Sequence, residues 1–346
     1  MSIILLIISG LCTALSIQYK ALYFLSYIGL IPYYCFLIQS RKVNRKGLSL
    51  YGYGLIWSMS FYMTVYTFFF YMYPMSFLDC TKAEAIFIIL FCWIALSMLQ
   101  AVPMALAAPL FKAISGKTAF APLIFASLIT IFEWLQNFTW AGVPFVRLAV
   151  SQVSFAPAAQ SASLLGSLFL SFFTAAVNGY LGNGILYFAK EKNRSLGLIS
   201  CVIALASVMI NTGYGLIRIA VTEKADSQKE KIKVAAIQGN ISSLDKWNSS
   251  LLDGILDKYI DMTYEAADNG AQMIVYPESA MNYYIKSGEG TEARTRIRNI
   301  CKEYGITAVI GAFDCGYNMK KEFVTYNALV TFYPDGLLEE FPYYKR

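Results

Sequence analysis

Hydrophobic residues dominate the first two thirds of the chain, where long apolar runs alternate with short polar connections. A helix needs roughly 20 apolar residues to cross the hydrocarbon core of a bilayer. Seven runs, of which the first is the shortest, are candidates for such helices: 3–17, 21–39, 49–74, 85–111, 119–140, 164–188 and 196–217. The pattern predicts a multi-pass α-helical membrane domain over residues 1–219, with about seven transmembrane helices.

The pattern changes after a polar linker that we place at residues 220–231. Short apolar runs of strand length then alternate with amphipathic segments that have helical spacing. The predicted order is a strand at 232–237, a helix at 251–269, a strand at 273–276, a helix at 292–304, a strand at 306–313 and two strands at 322–333 and 337–344. This order indicates an α/β domain over residues 232–346, with helices covering one face of a sheet.

The composition agrees with a membrane part followed by a globular part. Of the 346 residues, 57% are hydrophobic and only 14% are charged, which is too apolar for a single soluble domain of this length. The net charge of +6 comes from scattered lysine and arginine residues, so nothing in the sequence predicts binding to nucleic acid.

The chain contains no histidine, and its seven cysteines include no CxxC pair. The lack of histidine excludes Ser-His-Asp catalysis, Cys-His catalysis and any His-ligated metal within these residues. We therefore expect neither a metal site nor a cofactor.

Lysine and arginine residues in the short connections predict the orientation of the membrane domain, because they are enriched on the cytoplasmic side. One set of connections holds Lys20, Lys82 and Arg147. The opposite set holds nine such residues, namely Arg41, Lys42, Arg45, Lys46, Lys112, Lys117, Lys190, Lys192 and Arg194. The side with nine positive charges is predicted to be cytoplasmic, which places the α/β domain on the extracytoplasmic side.

A candidate catalytic carboxylate lies in the stretch MIVYPESAM at 273–281. Pro277 ends the predicted strand because it brings no N–H to the ladder, and Glu278 follows at the rim of the sheet. Partial burial there would raise the pKa of Glu278 and make it a usable base near neutral pH. The alternative is a solvated loop glutamate that helps to cap the next turn.

A second carboxylate, Glu133, falls inside the fifth apolar run. A carboxylate at that depth is costly and usually faces protein or a water-filled cavity. It is either part of a substrate path or a polar lock between helices, and the sequence leaves both interpretations open.

Several stretches together resemble the apolipoprotein N-acyltransferase family, whose members join a membrane domain to an external nitrilase-type (carbon–nitrogen hydrolase) domain. The α/β part carries VAAIQGNISSLDKW at 234–247, YPESA at 276–280 and YNALVTFYPDGLLEEFPYYK at 326–345. The membrane part carries FEWLQNFTWAGVPF at 132–145 and LLGSLFLSFFTAAVN at 164–178. The resemblance runs from about 119 to 345, is faint before that, and implies an α-β-β-α sandwich that is incomplete at its C-terminus.

The resemblance also implies a Glu–Lys–Cys catalytic site. Glu278 matches the general base that deprotonates the thiol, and Lys345 matches the lysine that stabilises the tetrahedral oxyanion. Trp247 matches a tryptophan associated with handling of the acyl substrate. If the resemblance is set aside, the alternative for Lys345 is a solvated hairpin lysine. The alternative for Trp247 is a packing residue or an interfacial anchor.

The activity implied is N-acylation of the N-terminal Cys of an apolipoprotein through a thioester acyl-enzyme. The implied partners are a phospholipid acyl donor and an acceptor with a diacylglyceryl-Cys N-terminus, at the bacterial inner membrane. The family continues past this lysine to a nucleophilic cysteine that neither Cys301 nor Cys315 matches, so we expect residues 1–346 alone to be inactive. Alternative interpretations are a membrane-anchored amidase of the same superfamily and a non-catalytic membrane pseudoenzyme.

The predicted orientation can be tested with reporters that are active only outside the cytoplasm. A reporter fused after Gly270 should be active, and a matched fusion after Lys192 should be inactive, because the two positions fall on opposite sides of the bilayer. The reverse pattern would contradict both the orientation and the acyltransferase interpretation.

Overall fold

The computed structural model describes residues 3–43, 45–75, 78–116, 120–138, 146–317 and 321–345. The chain forms two compact units, Met1–Gln228 and Lys229–Arg346. This division falls inside the linker predicted at 220–231. The first part of that linker is helical, because the last helix of unit 1 continues to Asp226.

All regular secondary structure in the described residues of unit 1 is helical. Its α-helices are α1 (Ile3–Gln18), α2 (Ile31–Lys42), α3 (Gly47–Val65), α4 (Lys82–Met104), α5 (Ala107–Ser115), α6 (Ala121–Leu135), α7 (Ala156–Ala159), α8 (Ala162–Leu165), α9 (Ser167–Leu186) and α10 (Arg194–Asp226). Short 3-10 segments at Lys20–Tyr27 and Tyr66–Met72 extend α2 and α3. Within the described residues, each of the seven predicted apolar runs overlaps one or two of these helices, and residues 119 and 139–140 of the fifth run lie outside the described residues.

Within the described residues, four helical stretches are long and apolar enough to cross a membrane: Lys20–Lys42, Gly47–Met72, Lys82–Ser115 and Arg194–Asp226. A fifth span results if Ala156–Leu165 and Ser167–Glu191, which meet at a bend of 120°, are counted as one. Helices α1 and α6 are apolar but shorter. Several membrane helices are therefore confirmed, whereas the number seven stays a prediction.

Buried polar side chains connect the helices of unit 1. Asn178 on α9 accepts a hydrogen bond from the Leu30 N–H at 2.9 Å and donates to the Ser26 carbonyl at 2.7 Å. Glu133 on α6 is only 3% exposed, and its Oε1 accepts from the Leu148 N–H at 2.8 Å. This contact supports the polar-lock interpretation of Glu133, while a role in a substrate path stays a prediction.

Unit 2 combines a mixed sheet with helices, as predicted for the α/β domain. Its strands are β1 (Val234–Ala236), β2 (Met273–Val275), β3 (Met281–Tyr284), β4 (Thr307–Tyr317), β5 (Phe323–Phe332) and β6 (Tyr343–Tyr344). Its helices are α11 (Ser243–Lys246), α12 (Leu252–Asp268) and α13 (Thr291–Tyr304). Gly305, in the left-handed conformation at φ 63°, ends α13 where the sequence places its stop.

The strand order is β1-β2-β4-β5-β6, and β3 also pairs with β4. Strands β1, β2 and β4 are parallel, whereas β4 and β5 form a long antiparallel hairpin. The prediction missed β3 and made the last strand, 337–344, too long. Leu338 pairs with Phe332 of β5, and β6 pairs with Ala328 and Leu329 of β5 in a shifted register. The intervening residues include Pro342, which brings no N–H to a ladder.

Helices α12 and α13 pack against one face of the sheet and bury its apolar side chains. The alternating residues of β4 and β5 that point to this face are fully buried, as is Ile274 of β2. These strand residues are Ala308, Ile310, Ala312, Ala328, Val330 and Phe332. The opposite face is more open, since Leu329 is 43% exposed, and it carries the candidate site.

Candidate functional site

The candidate site is built on an interruption between β2 and β3. Both strands run parallel to β4 along the same side of it, with Val275 opposite Val309 and Met281 opposite Ala312. The chain leaves the ladder between these two points and makes a turn at Pro277–Ala280. The turn is closed by a hydrogen bond from the Ala280 N–H to the Pro277 carbonyl at 3.3 Å. Glu278 lies in this turn, at the sheet rim where the sequence predicts it.

Gly311 of β4 makes room for the turn. A Cβ on Gly311 would lie only 2.7 Å from the Cα of Glu278, and it would also collide with the Pro277 carbonyl oxygen. Both obstacles are backbone atoms, so no side-chain rotation can relieve the overlap. Ser279 has a left-handed backbone conformation, with φ of 51°, which allows the tight turn. The missing side chain at 311 therefore sets the distance between the Glu278 backbone and the central strand.

Two side chains donate hydrogen bonds to the Glu278 carboxylate. Lys345 Nζ donates to Glu278 Oε1 at 2.9 Å, and Asn327 Nδ2 donates to the same oxygen at 2.5 Å. The structure thus brings together Glu278 and Lys345, which are 67 positions apart in the sequence. Asn327 is a further member of the site that the sequence analysis did not single out.

The sheet holds Lys345 through its own backbone N–H and through the preceding residue, Tyr344. Its own N–H donates to the Asn327 carbonyl at 2.9 Å. The preceding residue, Tyr344, donates its hydroxyl to the buried Asp314 carboxylate at 2.8 Å and stacks on Tyr326. Lys286 Nζ lies 4.0 Å from the same carboxylate. These contacts attach the two-residue strand β6 to the hairpin and direct Lys345 towards Glu278.

The electrostatic environment of Glu278 differs from the one expected. Glu278 is 62% exposed rather than partly buried, so the prediction that burial raises its pKa is wrong. The hydrogen bonds from Lys345 and Asn327, with the charges of Lys345 and Lys246, hold its pKa below the ordinary value. The carboxylate is therefore ionised at neutral pH and able to accept a proton.

Trp247 and Lys246 lie near the turn on the α11 side. The Trp247 indole is 66% exposed, and its ring centroid lies 6.0 Å from that of Phe313. Lys246 Nζ lies 3.3 Å from the backbone carbonyl of Glu278 and donates to it. Lys246 also lines a cleft of about 290 Å³, together with Gln238, Gly239, Asn240, Ile241, Ile255, Tyr259, Pro277, Glu278 and Ala280.

Neither cysteine of unit 2 joins the Glu278–Lys345 pair. Cys301 on α13 is fully buried, and burial raises the pKa of its thiol to about 11, which keeps it protonated at neutral pH. Cys315 lies in β4 opposite Thr325 of β5. In the part of the chain that the structure describes, no cysteine makes a hydrogen bond with Glu278 or Lys345.

Two family models match this chain. The model of the apolipoprotein N-acyltransferase N-terminal domain matches residues 9–180, and the carbon–nitrogen hydrolase model matches residues 233–346. The chain belongs to the apolipoprotein N-acyltransferase family. The family match begins at residue 9, well before position 119, so it includes the region where the motifs alone are faint.

Family members in several bacteria are similar to this chain. The apolipoprotein N-acyltransferase of Nostoc sp. is 24% identical over 320 residues, which cover 89% of this chain and 60% of that protein. The one of Geobacter metallireducens is 29% identical over 55% of this chain and 35% of its own length. The one of Shewanella oneidensis is 32% identical over 46% and 28% respectively. The chain therefore spans less than two thirds of the length of these relatives.

The role of Gly311 yields a stability prediction. Gly311→Ala should force the Pro277–Ala280 turn away from β4, because the added Cβ meets backbone atoms. Hydrogen–deuterium exchange of the purified protein should then show faster exchange at the amides of Tyr276 and Ala280.

The matched control is Gly316→Ala on the same strand, where an added Cβ meets nothing within 4 Å. Exchange at the turn should be unchanged in this variant. Equal exchange at the turn in both variants would contradict the proposed role of Gly311.

Proposed function

We propose that the protein containing this chain transfers an acyl group from a membrane phospholipid to the N-terminal cysteine of lipoproteins, through a thioester acyl-enzyme. The observation that carries the proposal is the ionised Glu278 carboxylate hydrogen-bonded to Lys345, in a chain that belongs to the family. A proton acceptor beside a fixed cation is what acyl transfer by a thiol requires.

In the first step, Glu278 takes the proton of a cysteine thiol, and the thiolate attacks the ester carbonyl of the phospholipid. The carbonyl oxygen becomes an oxyanion, and the Lys345 ammonium stabilises that negative charge. The intermediate collapses to a thioester as the bond to the lysophospholipid oxygen breaks, and the proton held by Glu278 passes to that oxygen, which leaves as an alcohol. In the second step, the α-amine of the lipoprotein attacks the thioester, an amide forms, and the thiol is released.

The membrane part supplies access to the substrates. The apolar helices of unit 1 support a location in the membrane, which is where a phospholipid acyl donor lies. The excess of lysine and arginine in one set of connections supports a unit 2 on the extracytoplasmic side of the inner membrane. On this proposal the exposed Trp247 contacts the acyl chain, since a large apolar ring beside the site suits such a ligand.

The role of Glu278 can be tested with Glu278→Gln in the whole encoded protein. Glutamine has nearly the same volume but cannot accept the thiol proton, so thioester formation should be lost while the protein still inserts into the membrane. The measurement is the hydroxylamine-sensitive acyl-enzyme formed from a phospholipid with a labelled acyl chain.

Glu303→Gln is the matched control, because Glu303 is an exposed carboxylate on α13, outside the site. It should form the thioester at the wild-type level. A second arm uses residues 1–346 alone, which we expect to form no thioester because Cys301 is buried and neither Cys301 nor Cys315 bonds to the pair. Acyl-enzyme retained in Glu278→Gln would show that Glu278 has a structural role only.

A further inference from the structure

The two oxygens of the Glu278 carboxylate lie in different environments. Oε1 accepts hydrogen bonds from both Lys345 Nζ and Asn327 Nδ2. Within the described ranges, every hydrogen bond to this carboxylate ends on Oε1. Oε2 is therefore the oxygen with lone pairs available to an incoming proton.

Asn327 contacts both charged members of the site. Its side chain donates to Glu278, and its backbone carbonyl accepts from the Lys345 N–H at 2.9 Å. A single residue thus fixes the carboxylate through its amide and the lysine through its main chain. No other described residue has hydrogen bonds to both Glu278 and Lys345.

The position of Asn327 in the sheet makes these contacts rigid. Asn327 lies inside β5 and pairs with Phe313 of β4, and its neighbour Ala328 pairs with Tyr344 of β6. A side chain on a strand that is paired on both sides is held more accurately than one on a loop. Glu278 itself lies on an exposed turn, so its orientation depends on such a partner.

We propose that Asn327 is a positioning residue that holds Oε1 and so directs Oε2 of Glu278 towards the thiol. This inference rests on the proposed function, because it concerns the base of that reaction. The S–H bond breaks, its electron pair stays on sulfur, and the proton forms a bond to Oε2. The carboxylate becomes a neutral acid at that moment.

The neutrality of the asparagine amide matters at this step. Protonation of Glu278 removes the charge that attracts Lys345, so the ammonium can turn to the developing oxyanion. The amide N–H of Asn327 hydrogen-bonds to a neutral carboxyl oxygen as well as to a charged one. Asn327 therefore keeps the acid in place after its ion pair with Lys345 weakens.

The test is Asn327→Leu in the whole encoded protein, assayed for thioester formation across a range of pH. Leucine keeps the volume of the side chain and leaves the backbone bond to Lys345, but it removes the donor. We expect kcat/KM to fall roughly 100-fold, which is the scale of a misplaced catalytic group. The acidic limb of the pH profile should move to higher pH, because loss of a hydrogen bond to the ionised form raises the pKa of Glu278.

Two further variants separate positioning from folding. Thr325 lies two positions before Asn327, on the same strand and the same face of the sheet. The variant Thr325→Val should therefore retain the wild-type rate and pH profile. Asn327→Asp keeps the shape of the side chain, replaces the donor with a second carboxylate and should move the acidic limb further upwards. It gives a result even if the leucine variant fails to accumulate.

The outcomes distinguish this inference from the proposed function. An active wild type whose rate and acidic limb are unchanged in Asn327→Leu and Asn327→Asp would overturn the role of Asn327 and leave the acyl transfer intact. A wild type that forms no thioester would overturn the proposed function, and this inference with it.

Discussion

The site depends on one constraint, the close approach of the Pro277–Ala280 turn to β4 at Gly311. Strand β2 ends at Val275 and β3 resumes at Met281 on the same side of β4, so the turn must leave and rejoin one ladder. Without a side chain at 311 the backbone of Glu278 packs closely on β4, and its carboxylate reaches Asn327 of β5 and Lys345 after β6. The hydrogen bonds of the carboxylate to Asn327 and Lys345 depend on this close approach.

The ion pair between Glu278 and Lys345 is better understood as a functional contact than as a stabilising one. Both side chains are more than half exposed, and ion pairs in such positions contribute little to folding stability. What holds Lys345 in place is the sheet, through the Asn327 carbonyl and the anchoring of Tyr344 by buried Asp314. The ion pair therefore forms because the sheet positions Lys345, and the carboxylate and the ammonium are both available for catalysis.

The sequence predicted most of the scaffold because apolar periodicity determines it. Strong patterns mark the membrane helices, both amphipathic helices of unit 2, strand β2 and the start of strand β4. Strand β3 was missed because MNYY follows the turn directly and has no alternation that separates it from a loop. The last strand was drawn too long because apolar content alone does not reveal a change of register.

The site was predictable only in part. Glu278 was a candidate because it follows a buried strand and Pro277, whereas Lys345 came only from resemblance to a family, which said nothing about the environment of either residue. The expected burial of Glu278 was wrong because the turn points to the open face of the sheet. Asn327 and Gly311 were missed because their roles arise from strand register, which brings β5 and the turn together across β4. The one signal for Asn327 in the sequence was its place in a quoted family motif, YNAL at 326–329.

The most direct test of this account is zero-length carbodiimide cross-linking of the whole protein, followed by peptide mass spectrometry. The Glu278–Lys345 separation of 2.9 Å predicts an isopeptide bond between the peptides that contain these two residues. Asn327→Leu should lower the yield of this cross-link, and Thr325→Val should not. If Glu278 couples to other lysines, or to none, in a protein whose circular dichroism shows a folded domain, the assembled site on which the account rests is contradicted.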